Sequence, residues 1–263
     1  MAGGRGERFW PQSRLKKPKH LLPIVGDKAM LAQAVDRVLG LVPPENIFII
    51  TNAEQRDAVL EICPEVLPAQ VIGEPVGRDT AAAVGLAAVL VQERNPAGAF
   101  AILPADHVIH DTEGFQKTLS LGFEQAEKGE YLVTIGIAPS EPATGYGYIH
   151  QGERASVESP VFKVQRFVEK PDLETAKGYL ASGEYAWNAG MFVWQALTVR
   201  QSIARFVPEL EASLTAIQSE LSIGTELSSV LSLHYPSIQK ISIDFAVMEK
   251  ADNVLTIPAA FAW

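Results

Sequence analysis

The stretch that decides the fold is residues 99–137, AFAILPADHVIHDTEGFQKTLSLGFEQAEKGEYLVTIGI. It opens on a short apolar run, 99–103, and closes on another, 131–137. Both are rich in Ile, Val, Leu or Phe without regular polar alternation, as expected of strands buried on both faces. Between them, residues 115–127 carry the periodicity of a helix. Strand, helix and strand in that order form the repeating unit of a parallel sheet covered by helices.

The same rhythm extends upstream. Strand-like runs fall at 46–51 and 70–72, and helical patterns at 30–39, 54–62 and 80–93. After residue 138 the pattern changes: 145–149, 161–169 and 187–194 read as strands with fewer helices between them. Helices resume at 197–206, 208–221 and 245–251. The expectation is an α/β fold with a Rossmann-like, mostly parallel mixed sheet flanked by helices. One domain is expected over 1–263, in two halves, 1–138 and 139–263, with no clear linker and no internal repeat.

The chain has 263 residues, 47% of them hydrophobic, enough to bury a sizeable core. No apolar run reaches the roughly 18 residues of a membrane span, and nothing resembles a secretory signal. The one cysteine, Cys63, excludes an internal disulfide and a Cys-based zinc site. A cytoplasmic protein is the default expectation, with no membrane partner. The oligomeric state stays open, a homodimer included.

The net charge of −9 argues against nucleic acid held by a broad basic face. Its distribution is uneven. Residues 3–20 hold Arg5, Arg8, Arg14, Lys16, Lys17 and Lys19 against Glu7, a local +5, so the remainder carries −14. An acidic chain with one concentrated basic loop suits a small polyanion; a solvated basic turn is the plainer alternative.

Within that loop, Gly3, Gly4 and Gly6 allow a tight turn that brings backbone amides against phosphate oxygens, with Arg5 and Arg8 adding charge. The spacing is not that of a Walker A loop. Lys19, held behind Pro18, is the better phosphate contact; Lys16 and Lys17 read as exposed. The loop of residues 74–80, which contains Gly77, Arg78, Asp79 and Thr80, follows a strand end, where α/β sheets bind ligands. Asp79 or Thr80 is expected to cap the next helix. Asp106, in LPADH, also follows a strand, where a carboxylate can hold Mg²⁺ against phosphate oxygens; a turn or helix cap is its ordinary role. Further along, TGYGY (144–148), FVEKP (167–171) and WNAGMF (187–192) supply donors and acceptors suited to sugar hydroxyls, with Lys170 available to a phosphate.

Taken in order, GGRGERFWPQSR, KPKHLLP, GEPVGRDTAAA, LPADH, PATGYGYI, FVEKP, WNAGMF and SIDFAVMEKA resemble the sugar-nucleotidyltransferase family over essentially the whole chain. The FWPQSR form of the loop, with KPKH and SIDFAVMEKA, is most similar to the mannose-1-phosphate guanylyltransferase branch. The resemblance implies a Mg²⁺-assisted reaction of GTP with mannose 1-phosphate, giving GDP-mannose and pyrophosphate. It makes 1–138 the nucleotide-binding half and 139–263 the sugar-phosphate half.

It further implies roles for Gly3, Gly4, Gly6, Arg8 and Lys19 at the nucleotide. Gly77, Arg78, Asp79 and Thr80 would lie by the base, Asp106 at the metal, Gly147, Glu169 and Asn188 at the sugar, and Lys170 at its phosphate. Many relatives have Asn and Pro where this chain has Asp79 and Ala82. Asp244 matches a recurrent motif position, though a helix N-cap explains it at least as well. Relatives also carry a strand before the glycine loop and, past a segment like Phe261–Trp263, a second metal-binding aspartate; this chain is expected to lack both. A hexose-1-phosphate nucleotidyltransferase using dTTP or UTP, and a regulatory subunit that binds nucleotide sugars without catalysis, remain as alternative readings.

Overall fold

The computed structural model describes residues 1–3, 18–156 and 159–263. Strands β1 (Ile49–Asn52) and β2 (Val71–Glu74) pair in parallel, with α1 (Met30–Leu39) before them and α2 (Arg56–Ile62) between. α1 forms because Met30, Leu31, Val35 and Val38 recur on one face and are buried there. Next come α3 (Asp79–Arg94), β3 (Ala99–Ile102), α4 (Thr112–Lys128) and β4 (Leu132–Ile137). The second half contributes β5 (Tyr148–Arg154), β6 (Phe162–Val168), α5 (Leu173–Ser182), β7 (Tyr185–Gln195), α6 (Ala196–Phe206), α7 (Pro208–Ser222), α8 (Leu227–His234) and β8 (Val254–Pro258).

The larger sheet runs β3-β7-β4-β8-β6-β5, with β5 also paired to β7. It is parallel in part. β4 and β8 are parallel, whereas β7 runs antiparallel to β3, β4 and β5. At eleven residues β7 is long enough to pair β3 with its C-terminal end and β5 with its N-terminal end. Its pairing with β4 slips between Thr134 and Gly136, so Phe192 and Asn188 face residues only two apart. The extra residues of that bulge include Gly190, whose φ of +64° suits glycine.

Alternate side chains of the strands enter two apolar layers. Leu132, Phe192 and Trp194 pack with α3, α6, α7 and α8. Val133, Met191 and Val193 pack with α1, α4 and α5 on the other side. α3 is buried nearly all round, and its small residues let neighbours close in: a Cβ on Gly85 would lie 2.5 Å from Leu214 Cδ1 on α7. Beyond the apolar contacts, buried Arg200 on α6 donates to Glu211 and Gln218 on α7 and to Gln92 on α3.

Several elements begin or appear where sequence periodicity was weak. α4 starts at Thr112, three residues before the apolar pattern, because Asp111 caps it by accepting from Gly114 N at 2.9 Å. α5 is closed by Asp172 at its start and Gly183 (φ +69°) at its end, and α8 by Glu226 at its start. The segment read as a helix at 245–251 is a π-helical turn, Asp244–Met248. The cap expected of Asp79 or Thr80 is not formed. Arg78 occupies the cap position without a side-chain capping bond, Asp79 adopts φ +66°, and its carboxylate takes the adjacent Thr80 N–H.

β1 and β3 do not pair directly. Met1 and Ala2 lie between their C-terminal ends: Ala2 N donates to Ile50 O at 2.8 Å, and the Met1 ammonium to Leu103 O at 2.7 Å. Ala105 N in turn donates to Met1 O at 3.1 Å. A cavity of about 700 Å³ continues from Met1 between the strands, lined by Ile49, Ile50, Phe100 and Ile102 with Leu31 and Phe123.

Candidate active site

Gly3 is the last described residue before the basic loop, and two side chains from strand ends hold it. Asn52, closing β1, donates to Gly3 O at 3.0 Å. Glu74, closing β2, approaches so closely that a Cβ on Gly3 would lie 3.1 Å from its Oε2. Glu74 is buried, and burial raises its pKa, while the Tyr235 hydroxyl donating to it and the Met1 ammonium pull the other way. Gly4, Gly6 and Arg8, together with Arg5, Arg14, Lys16 and Lys17, lie outside the described residues.

Lys19 begins a 3₁₀ turn immediately after Pro18. Its Nζ lies 3.4 Å from Asp106 Oδ2, so the KPKH and LPADH segments meet. The LPADH segment is the hub of the site. Ala105 bonds Met1, Asp106 pairs Lys19, and a Cβ on Gly190 of β7 would lie 3.5 Å from Pro104. Asp106 is half exposed, and no cluster of three His, Cys, Asp or Glu exists among the described residues. That donor set does not cage a cation. It fits Mg²⁺, which is commonly held by one or two carboxylates while substrate phosphates and water complete its octahedron.

His20 and His107 flank this pair and are both buried enough that desolvation lowers their pKa to about 4, leaving neutral imidazoles at pH 7. His107 packs edge-on to Trp263, which also meets Tyr146. Tyr146 in turn meets Trp187, making an aromatic wall between the LPADH and TGYGY segments. The sequence pointed to neither Trp263 nor this wall, since three of its members come from different segments.

The residues expected at the sugar form one contiguous group. Asn188 N donates to Gly147 O at 2.8 Å, and a Cβ on Gly147 would lie 2.6 Å from Glu169 Oε2. A side chain at 147 would therefore push the Glu169 carboxylate from its place. Lys170 stands at φ +44° and pairs with neighbouring Glu169, its side chain half exposed and that of Glu169 buried to 10% exposure. Asp244, read at least as well as a helix cap, instead accepts from Asn188 Nδ2 at 2.9 Å. Burial and the Glu169 charge raise its pKa to about 6.

The base-side segment is less enclosed. Gly77 has only Asn52 Oδ1 within 4.0 Å of a would-be Cβ, and Arg78 donates to Pro236 O. Thr80 Oγ1 accepts from Ile243 N at 2.8 Å. The structure thus brings Gly3, Lys19 and Asp106 to the LPADH segment, and Gly147, Glu169, Lys170 and Asn188 into a second group that approaches it where Gly190 nears Pro104. Glu74, Asn52 and Asp244 join them; the position of Glu74 at a strand end was the one advance signal of its importance.

A glycine-rich N-terminal sequence, a lysine–aspartate pair past the end of β3 and a polar cluster around Asn188 of the bulged strand together fit a nucleotidyl-transfer fold. Residues 1–222 match the nucleotidyl transferase family, and the chain belongs to it. More particularly, it is 38% identical over its whole length to a mannose-1-phosphate guanylyltransferase of Escherichia coli, of which it spans 56%. A Salmonella montevideo mannose-1-phosphate guanylyltransferase is 40% identical, again over the whole chain and 56% of the relative. The chain therefore spans about half the length of these curated relatives. Among solved structures, one described as a mannose-1-phosphate geranyltransferase from Thermus thermophilus superposes with a TM-score of 0.87 at 36% identity, covering 100% of this chain and 73% of the other.

Proposed function

We propose that the chain transfers GMP from GTP to mannose 1-phosphate, releasing pyrophosphate and forming GDP-mannose. The observation that carries this reading is the Pro104–Gly190 contact. Pro104 lies two residues before Asp106 and Gly190 two residues after Asn188, which supports a phosphate group near the Lys19–Asp106 pair and a sugar near the Gly147–Glu169–Asn188 cluster as neighbours. The names of the curated relatives support the choice of guanine and mannose.

In this reading a phosphate oxygen of mannose 1-phosphate attacks the α-phosphorus of GTP in line. The new O–Pα bond forms as the bond from Pα to the bridging oxygen breaks, and that electron pair leaves with pyrophosphate. The attacking oxygen is already anionic, so no general base is required. Catalysis rests on positioning and on neutralising charge: Lys19 and Arg8 at the triphosphate, Lys170 at the sugar phosphate. Bound Mg²⁺, held through Asp106, would supply further charge neutralisation at the phosphates.

Glu169 and Asn188 orient the sugar hydroxyls, and Gly3, Gly4 and Gly6 offer amides to phosphate. Gly77, Arg78, Asp79 and Thr80 lie toward the base. The setting in this reading is the cytoplasm; no helix among the described residues is long and apolar enough to cross a membrane, and Cys63 is a buried free thiol.

The test is pyrophosphate release across a panel of GTP, dTTP, UTP and ATP against mannose, glucose and N-acetylglucosamine 1-phosphates. Mg²⁺-dependent turnover favouring GTP with mannose 1-phosphate is expected. Preference for another pair would replace the substrate assignment, and nucleotide-sugar binding without turnover would replace the enzymatic reading.

A further inference from the structure

The segment 241–249 contacts both halves of the site. On the nucleotide side, Ile243 N donates to Thr80 Oγ1 at 2.8 Å, and Ala81 N donates to Ile241 O at 3.2 Å. On the sugar side, Asn188 Nδ2 donates to Asp244 Oδ1 at 2.9 Å. Glu249, one turn later, accepts from Glu169 N at 3.2 Å. Between these anchors the backbone forms the π-helical turn Asp244–Met248, with Ala246, Val247 and Met248 buried beneath it. Such turns are rare and frequently lie at functional sites.

The carboxamide of Asn188 is almost fully committed to protein. Its Oδ1 accepts from Gly190 N at 2.9 Å while its Nδ2 faces Asp244. A carboxylate only accepts hydrogen bonds, so a flipped amide would set oxygen against oxygen at Asp244 and nitrogen against N–H at Gly190. One orientation survives, and it leaves a single Nδ2–H and one oxygen lone pair for a ligand.

We propose that Asp244 is a positioning residue: it locks Asn188 in the orientation that binds the sugar phosphate, and its turn ties that half-site to the N-terminus of α3. The inference rests on reading the Gly147–Glu169–Asn188 cluster as the sugar half-site. The charged groups facing Asp244 are Glu169 and Lys170 from the end of β6; from β7 it meets the neutral Asn188. Glu169 and burial oppose its ionisation, so its negative charge develops around pH 6.

Steady-state kinetics of Asp244→Ala, Asp244→Asn and Asn188→Ala test this. Asp244→Ala is expected to raise KM for the sugar phosphate about 10- to 100-fold, with KM for the nucleoside triphosphate within about twofold. Asp244→Asn, nearly isosteric and still able to accept from Asn188, is expected to recover most of that loss. The ratio of wild-type to Asp244→Asn kcat/KM for sugar phosphate should sit near one at low pH and rise to a plateau above about pH 7, as only the wild type gains charge. Ionisation of the substrate phosphate is common to both and cancels. A pH-independent ratio, or equal changes in both KM values, would overturn the proposal. If Asp244→Ala does not fold, the ratio with Asp244→Asn decides alone. Should Asn188→Ala leave KM for the sugar phosphate unchanged, the half-site reading itself fails; if Asn188→Ala raises it and Asp244→Ala does not, only the role of Asp244 fails.

Discussion

Lys19 and Asp106 stand 3.4 Å apart across 87 residues of sequence, one on the turn that follows the basic loop and the other past the end of β3. Both side chains are partly exposed, so the pair contributes little to stability. In the proposed reaction its value is positional: a cation and a carboxylate held ready for the polyphosphate of a nucleotide.

Removing either partner should therefore affect turnover rather than folding. Lys19→Ala is expected to lower kcat about 10²- to 10³-fold with Tm nearly unchanged. Asp106→Asn is expected to abolish Mg²⁺-dependent turnover. Pyrophosphate-release kinetics beside a thermal melt check both, and a large fall in Tm would mark the pair as structural.

Gly147→Ala tests the sugar half-site sterically. The added methyl would meet Glu169 Oε2 at 2.6 Å, and the flexible end of that side chain must move away. The expected outcome is a rise of about 10- to 100-fold in KM for the sugar phosphate, with little change in Tm. An unchanged KM would remove Glu169 from that role.

Glu74 carries a pH signature. Its folded pKa is raised by burial, so the folded state binds a proton more tightly than the unfolded chain does. Stability from this group is thus greatest at low pH and falls as pH rises past the unfolded value of about 4.3. Glu74→Gln, which keeps an acceptor for Tyr235, should gain stability relative to wild type as pH rises through that window. Chemical denaturation at several pH values reads the difference; a constant offset would mean that burial does not raise the Glu74 pKa in the folded state.

Arg200 tests the packing of α6 on α7. Its guanidinium donates to Glu211 Oε2 at 2.8 Å and to Gln92 and Gln218 at 3.0 Å each. Arg200→Ala strands a carboxylate that is 21% exposed, so the cost should fall at the low end of the range for broken buried pairs, about 3 kcal/mol. In a domain of this size that corresponds to a fall in Tm of roughly 6–12 °C by calorimetry.

Much of the architecture was legible along the chain. α1 falls on the residues its periodicity marks, and β4, α3 and α6 within one residue or so. α5, α8 and β8 were not foreseen. α8 is Ser-rich and weakly periodic, and β8 is five residues long, so neither carries enough local pattern to stand out. Both are held mainly by what they pack against. Among site residues, the glycine at 147 and the strand-end carboxylates announced themselves by position. Asp244 stood out only as a recurrent motif position that a helix cap explained at least as well, until Asn188 is seen beside it.

The sequence by itself determined the layered α/β character, the basic glycine loop and the order of the chemistry-bearing segments, since burial periodicity and local charge are properties of a few neighbouring residues. Only the tertiary structure decided which segments meet. An apolar strand has the same composition whether its neighbour is parallel or antiparallel, so the insertion of β7 between β3 and β4 could not be read from any run. That insertion, with its bulge, carries Asn188 to Asp244 and brings Gly190 near Pro104, two residues before Asp106.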